Sequence, residues 1–187
     1  MTKAALVVID AQQEYFAPIG EVVLPEGPAA VQGIARALAW ARETRTPVIH
    51  VVHESTKPGA AIFAPGSAAL AVHPDAAPRD GEPVFTKHLP GSFTGTPLED
   101  TLRAQKIGRV IIAGFMTQMC VDTTARQAAH LGFAVTILAD ASAAKSVTSP
   151  DGAVIPSEAV HNTHLGSLSG GLAEVKTTVD LHSYNDK

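Results

Sequence analysis

Arg109-Val110-Ile111-Ile112-Ala113-Gly114-Phe115 runs directly into Met116-Thr117-Gln118-Met119-Cys120-Val121, and from there into an alanine-rich stretch that ends at Gly132. The first seven residues make a nearly unbroken apolar run, the pattern of a strand buried on both faces. Residues 119–131 change to a helical pattern, with Gly132 as the stop. A doubly buried strand feeding a helix is half of a βαβ unit, so this junction argues for α/β architecture around a parallel sheet.

The alternation extends in both directions. Upstream, Ala4-Ala5-Leu6-Val7-Val8-Ile9 is a second continuous apolar run, closed by Asp10. Residues 28–44 carry Val31, Ile34, Leu38 and Ala41 at helical spacing behind Pro28, a residue suited to a first turn. Residues 47–52 read as a second strand and 82–86 as a third, with Lys87 at its end. Thr96-Pro97-Leu98-Glu99 has capping-box spacing and predicts a helix to about Lys106, stopped by Gly108. Downstream, 133–139 is a fifth strand ended by Asp140, 157–168 a helix, and 173–178 a sixth strand. Residues 56–81, with four prolines and three glycines, read as a surface excursion. Right-handed crossovers then give a three-layer α/β/α fold: a six-stranded, mainly parallel sheet in the order 3-2-1-4-5-6, as one domain over residues 1–187.

Composition narrows the function. A 187-residue chain with 45% hydrophobic and 17% charged positions supports one full core. A net charge of −4 and scattered Lys and Arg offer no basic face for nucleic acid. The apolar run after Met1-Thr2-Lys3 is too short for a signal segment or a membrane span. Cys120 is the single cysteine, so no intrachain disulfide forms, in keeping with a reducing compartment. The expectation is a cytoplasmic protein whose partner is a small molecule, with neither nucleic acid nor membrane.

In the order 3-2-1-4-5-6, strands 1 and 4 are neighbours where the winding reverses, and ligands bind beyond the carboxyl ends of the strands at such a point. Asp10 ends strand 1 and Cys120 follows strand 4, which sets a carboxylate and a thiol on opposite lips of one crevice. Lys87 ends strand 3, two positions or ~10 Å from strand 1, so it meets them only through a long side chain and an inward-turning loop. A helix start favours a thiolate at Cys120. Each residue also has a plainer role: Cys120 as core filler, Asp10 as a cap, Lys87 in solvent.

Three segments together carry a resemblance: Val8-Ile9-Asp10-Ala11-Gln12-Gln13-Glu14-Tyr15-Phe16; Lys87 with Gly91-Ser92-Phe93; and Gly114 to Val121 continued by Asp122-Thr123-Thr124-Ala125-Arg126. In order and spacing they resemble the signature blocks of the isochorismatase-like cysteine hydrolases, from Ala4 to about Val179. The resemblance implies the fold derived above, an Asp-Lys-Cys set at Asp10, Lys87 and Cys120, and oxyanion donors in the backbone N–H groups of Met116 and Cys120. It also implies a cis peptide between Phe115 and Met116, no cofactor, and a homo-oligomer, for which the alanine-rich helix 119–131 is a candidate interface. The residue types suit the chemistry: a thiol needs a base, Asp10, and a nearby cation, Lys87, to become a nucleophile at neutral pH.

Two departures narrow the substrate. The nicotinamidase branch carries an Asp-x-His and a later His as a metal site, whereas here the segment reads His50-Val51-Val52-His53-Glu54-Ser55, and strand alternation sends His50 and His53 to opposite faces. His161 and His164 lack a third ligand and are expected at a surface or interface, so no metal is expected. Vinyl-ether-cleaving relatives among the siderophore enzymes lack the cysteine, so Cys120 favours C–N hydrolysis of a small amide, carbamoyl or ureido compound through a thioester. A vinyl-ether hydrolase and a non-catalytic small-molecule binder are the alternatives, with a peroxide-oxidised thiol protein as a further rival. Tyr15, Phe16, Phe93, Phe115 and Met116 are the expected pocket walls and Gln12 and His53 its polar contacts. Asp122 and Arg126, four apart, fit a structural ion pair.

Overall fold

The protein is described by a computed structural model covering residues 2–184; Met1 and residues 185–187 of the expected domain lie outside the described residues. The strands are β1 (Ala4–Ile9), β2 (Val48–His53), β3 (Val84–Lys87), β4 (Arg109–Phe115), β5 (Ala134–Ala143), β6 (Val147–Thr148), β7 (Val154–Ile155) and β8 (Glu174–Lys176). Six of them form one sheet in the order β3-β2-β1-β4-β5-β8, every neighbouring pair parallel. The helices are α1 (Gly27–Glu43), α2 (Leu98–Ala104), α3 (Asp122–His130) and α4 (Ser157–Ser169).

Strand alternation divides the core into two layers. Leu6, Val8, Ile111, Ala113 and Leu138 face α1, where Val31, Ile34, Leu38 and Ala41 meet them. Ala5, Val7, Ile9, Val110, Ile112 and Ile137 face the opposite way, onto Leu98 and Leu102 of α2, Ala125 and Ala128 of α3, and Leu165 and Leu168 of α4. The result is a three-layer α/β/α fold whose central strands are buried on both sides, which is why they read as continuous apolar runs.

Several expectations need correction. β3 starts two residues later than predicted. β5 continues four residues past Ala139, because its register against β4 shifts between Ile112 and Gly114 and pairing resumes at Ser142. Asp140 is therefore inside a strand, and its carboxylate ties Thr178 and Arg36 rather than edging the crevice. The capping box is half made: Thr96 accepts from the Leu98 N–H, but Glu99 pairs with Arg103. Ala125 and Ala128 of the alanine-rich helix point into the core and not outward. The β6–β7 hairpin, two residues a side, escaped notice. The excursion 56–81 is not merely superficial, since Phe63, Ala69 and Ala76 are buried and Val72 bridges to Gln12. No described helix is long and apolar enough to cross a membrane.

Candidate active site

The crevice opens at the carboxyl ends of β1 and β4. Asp10 leaves β1 in a left-handed conformation, φ 50°, that Asp tolerates better than most side chains. Its N–H donates to Val51 O at 2.7 Å, keeping the residue in line with the sheet. Gly114, at φ 128°, faces Ile9 so closely that a Cβ there would lie 1.9 Å from the Ile9 carbonyl oxygen. Glycine thus lets β4 press against β1 where the two lips meet.

After β4, the Phe115–Met116 peptide is cis, and Thr117–Val121 forms a single π-helical turn before α3. In that turn Met116 O accepts from the N–H of Met119 and of Val121. The sequence treated 119–131 as one continuous helix. Wide turns of this kind are common at functional sites because they re-aim a side chain. Helix α4 braces the turn: His161 Nδ1 lies 2.8 Å from Thr117 Oγ1, and His164 and Arg126 both hold Asp122. His161 and His164 are therefore half-buried supports of the turn and of the start of α3 and not free surface groups.

Lys87 spans the distance that the sequence left open. It lies beside His53 in the β2–β3 register, and its side chain crosses β2 to the end of β1. Its Nζ is 2.8 Å from Asp10 Oδ2, 3.3 Å from Cys120 Sγ and 3.3 Å from His53 Nδ1. Asp10 and Lys87 are both wholly buried. The loop beyond Lys87 is latched to α3, with Ser92 N–H donating to Thr124 Oγ1 and Phe93 N–H to Gln127 Oε1.

Burial raises the Asp10 pKa, against the opposing pull of Lys87. Burial first and the Asp10 charge second push the Cys120 thiol well up, with Lys87 acting the other way. Burial and the neighbouring carboxylate therefore favour the thiol, against the thiolate that a helix start favours. Tyr15, also raised by burial and by Asp10, stays a neutral phenol.

Cys120 opens on a cavity of about 470 Å³. Tyr15, His53 and Met116 line it as expected of them, but Gln12, Phe16, Phe93 and Phe115 do not. Gln12 is buried and clamps the His53 backbone, accepting from its N–H at 2.7 Å and donating to its C=O at 2.9 Å. Phe16 and Phe115 pack edge to face behind the site, within the core layer of α1. Phe93 stacks on Phe133 on the other side of the sheet. Further walls include Lys57, Ile62, Phe63, His88, Leu89 and Pro90, which sequence reasoning missed because they lie on the excursion and in the loop after β3, without periodicity, and Met119 of the π-helical turn.

Glu14 was missed too. Buried behind the cavity, it accepts from the N–H of Phe63 at 2.8 Å and of Glu21 at 2.9 Å, and so fastens the excursion to the site. An acid in the first signature block, just past a buried strand, was the available signal. His50 turns away from His53 and pairs with Glu82. Among the described residues no group of three His, Cys, Asp or Glu is placed to hold a metal.

Comparison with known proteins agrees with this architecture. The family model for the isochorismatase domain matches residues 4–178. The isochorismatase family protein YddQ of Bacillus subtilis is 35% identical over 93% of this chain and 96% of its own. A maleamate amidohydrolase of Pseudomonas putida is 31% identical over 70% of this chain and 68% of its own. A solved isochorismatase structure from Pseudomonas putida superposes with a TM-score of 0.88 at 36% identity, over 95% of this chain and 89% of that one. With a family model spanning nearly its whole length, relatives of this similarity and a shared three-layer fold, the chain belongs to the isochorismatase family.

Proposed function

We propose that the chain is a cysteine amidohydrolase that cleaves a C–N bond of a small amide, carbamoyl or ureido compound, with Cys120 as nucleophile, Asp10 as general base and acid, and Lys87 as the cation between them. The observation that carries this reading is the single ammonium group within 2.8 Å of the Asp10 carboxylate and 3.3 Å of the Cys120 sulfur, at the edge of a cavity. The similarity to a maleamate amidohydrolase supports the same bond type.

The raised Asp10 pKa makes that carboxylate a better proton acceptor than an exposed one. The thiol proton passes to Asp10 as sulfur attacks the carbonyl carbon, and the sulfur develops negative charge beside Lys87. The backbone N–H groups of Met116 and Cys120 receive the oxyanion, the type of contact whose removal typically costs ~10² to 10³ in rate. Asp10 returns its proton to the departing nitrogen as the C–N bond breaks, leaving a thioester. Water then attacks the thioester carbon, Asp10 takes the water proton, and the sulfur leaves as the thiol with that proton while the acid product departs.

The test is ammonia release over a panel of small amides, with wild type beside Cys120→Ala, and intact mass after rapid quench. The expected result is turnover by wild type alone and an acyl adduct on the wild-type chain. Ammonia release that survives Cys120→Ala overturns covalent catalysis.

A further inference from the structure

We infer that His53 is a substrate-positioning residue: a neutral imidazole whose Nδ1 is turned to Lys87 and whose Nε2–H is offered to the cavity, where it selects substrates bearing a carboxylate. The inference rests on the amidohydrolase reading and specifies its substrate class. An ammonium has three N–H donors and no lone pair. Lys87 Nζ forms an ion pair with Asp10 Oδ2 at 2.8 Å and lies within hydrogen-bond distance of Cys120 Sγ and of His53 Nδ1, both at 3.3 Å. His53 Nδ1 can face such a group only as an acceptor, so the ring proton sits on Nε2.

The ring has little freedom. Gln12 holds the His53 backbone through both its N–H and its C=O, and Phe63 meets the ring edge-on at 4.8 Å. His53 lines the cavity, and with Nδ1 committed to the buried Lys87 the ring nitrogen left for a ligand is Nε2. The groups around it all disfavour a second ring proton or leave it alone. Lys87 and His88 approach from the end of β3, Gln12 comes from beyond β1, and Phe63 comes from the excursion. Burial and the charges of Lys87 and His88 lower the His53 pKa to about 4. Asp10 does not reverse this, being paired with Lys87.

The cavity lining adds a charge preference. Lys57 and His88 line it with His53, and no Asp or Glu does. An amide carrying an ammonium group finds no anion there, whereas a carboxylate finds the Nε2–H donor and the Lys57 ammonium at the rim. Desolvated polar groups discriminate more strongly than apolar walls, since a mismatch leaves one buried and unpaired.

Two measurements test this. Imidazole ¹⁵N NMR reads the tautomer without reference to activity: His53 is expected as the Nε2–H form, unchanged between about pH 5.5 and 8, given an ordinary histidine midpoint near 6.5. An Nδ1–H form, or a midpoint inside that range, overturns the inference. The second compares succinamate, butyramide and β-alaninamide, which differ in charge at similar length. Wild type is expected to prefer succinamate, and His53→Ala to lower kcat/KM for it by about 10- to 100-fold, mostly through KM, while butyramide loses clearly less, and that in kcat, from the missing acceptor beside Lys87. His53→Asn, which keeps an acceptor for Lys87 and an N–H donor, is expected to recover much of the loss. Equal losses on all three amides, or no preference in wild type, overturn the inference. Wild type inert toward every amide, with the expected tautomer seen, defeats the hydrolase reading instead and leaves the His53 geometry standing.

Discussion

Replacing Lys87 by methionine keeps the length of the side chain and removes its charge, leaving the Asp10 carboxyl without its counter-ion. Both side chains are fully buried and 2.8 Å apart. Breaking such a pair from one side generally costs ~3–5 kcal/mol, because the remaining ion has no compensation. The Asp10 pKa is already raised by burial, and Lys87 is the main influence opposing that rise. Without Lys87 it rises further. A group with a raised folded pKa gives stability that is fully present below its unfolded value, 3.8 for Asp10, and lost as pH climbs through the folded value. Lys87→Met should therefore be destabilised by ~3–5 kcal/mol at pH 8, or roughly 6–20 °C in midpoint for a chain of this size, and by clearly less at pH 5. Urea titrations at the two pH values read this directly, and Asp10→Asn added to Lys87→Met should recover much of the pH 8 loss while amide hydrolysis stays abolished. A loss below ~1 kcal/mol at pH 8, the range of an exposed ion pair, would refute the reasoning. So would an equal loss at both pH values.

Gly114→Ala forces a Cβ to within 1.9 Å of the Ile9 carbonyl oxygen at a positive φ; thermal unfolding should show a loss above ~3 kcal/mol, and the separated lips should cost activity in the surviving fold. Glu82→Gln weakens the links to Arg42 and His50. The Glu82 pKa is lowered to about 2 from 4.5, so its stabilisation is present above 4.5 and lost as pH falls toward 2. The variant should be ~2 kcal/mol less stable at pH 7 and nearly equal to wild type near pH 2, by denaturant titration. Exhaustive dialysis against EDTA should leave amide hydrolysis unchanged, since no group of three metal-binding side chains converges among the described residues; a loss restored by adding back a divalent ion would contradict this.

The strands are legible as apolar runs whose cause is burial on both faces, and β1 and β4 begin and end where those runs do. Asp10 and Cys120 could be placed on opposite lips because strand order alone decides which ends are neighbours. The pocket was less legible. Phe16, Phe93 and Phe115 are aromatic and near strand ends, as a wall residue would be, yet each is packed into a core layer, while Phe63 and Leu89 wall the cavity from segments with no pattern. Gln12 and Glu14 look like contacts in sequence and act as clamps in space.

From its sequence alone, this chain specifies a doubly covered parallel sheet and three polar residues at strand ends, because side-chain alternation and burial are properties of local order. The tertiary structure decided that the Lys87 ammonium crosses β2 to reach Asp10 and Cys120, that burial and Asp10 push the sulfur toward its thiol form, and that a π-turn braced by α4 presents it to a cavity. Those outcomes depend on where segments remote in the chain exclude water and which charges they leave facing one another, and neither is written in any local stretch.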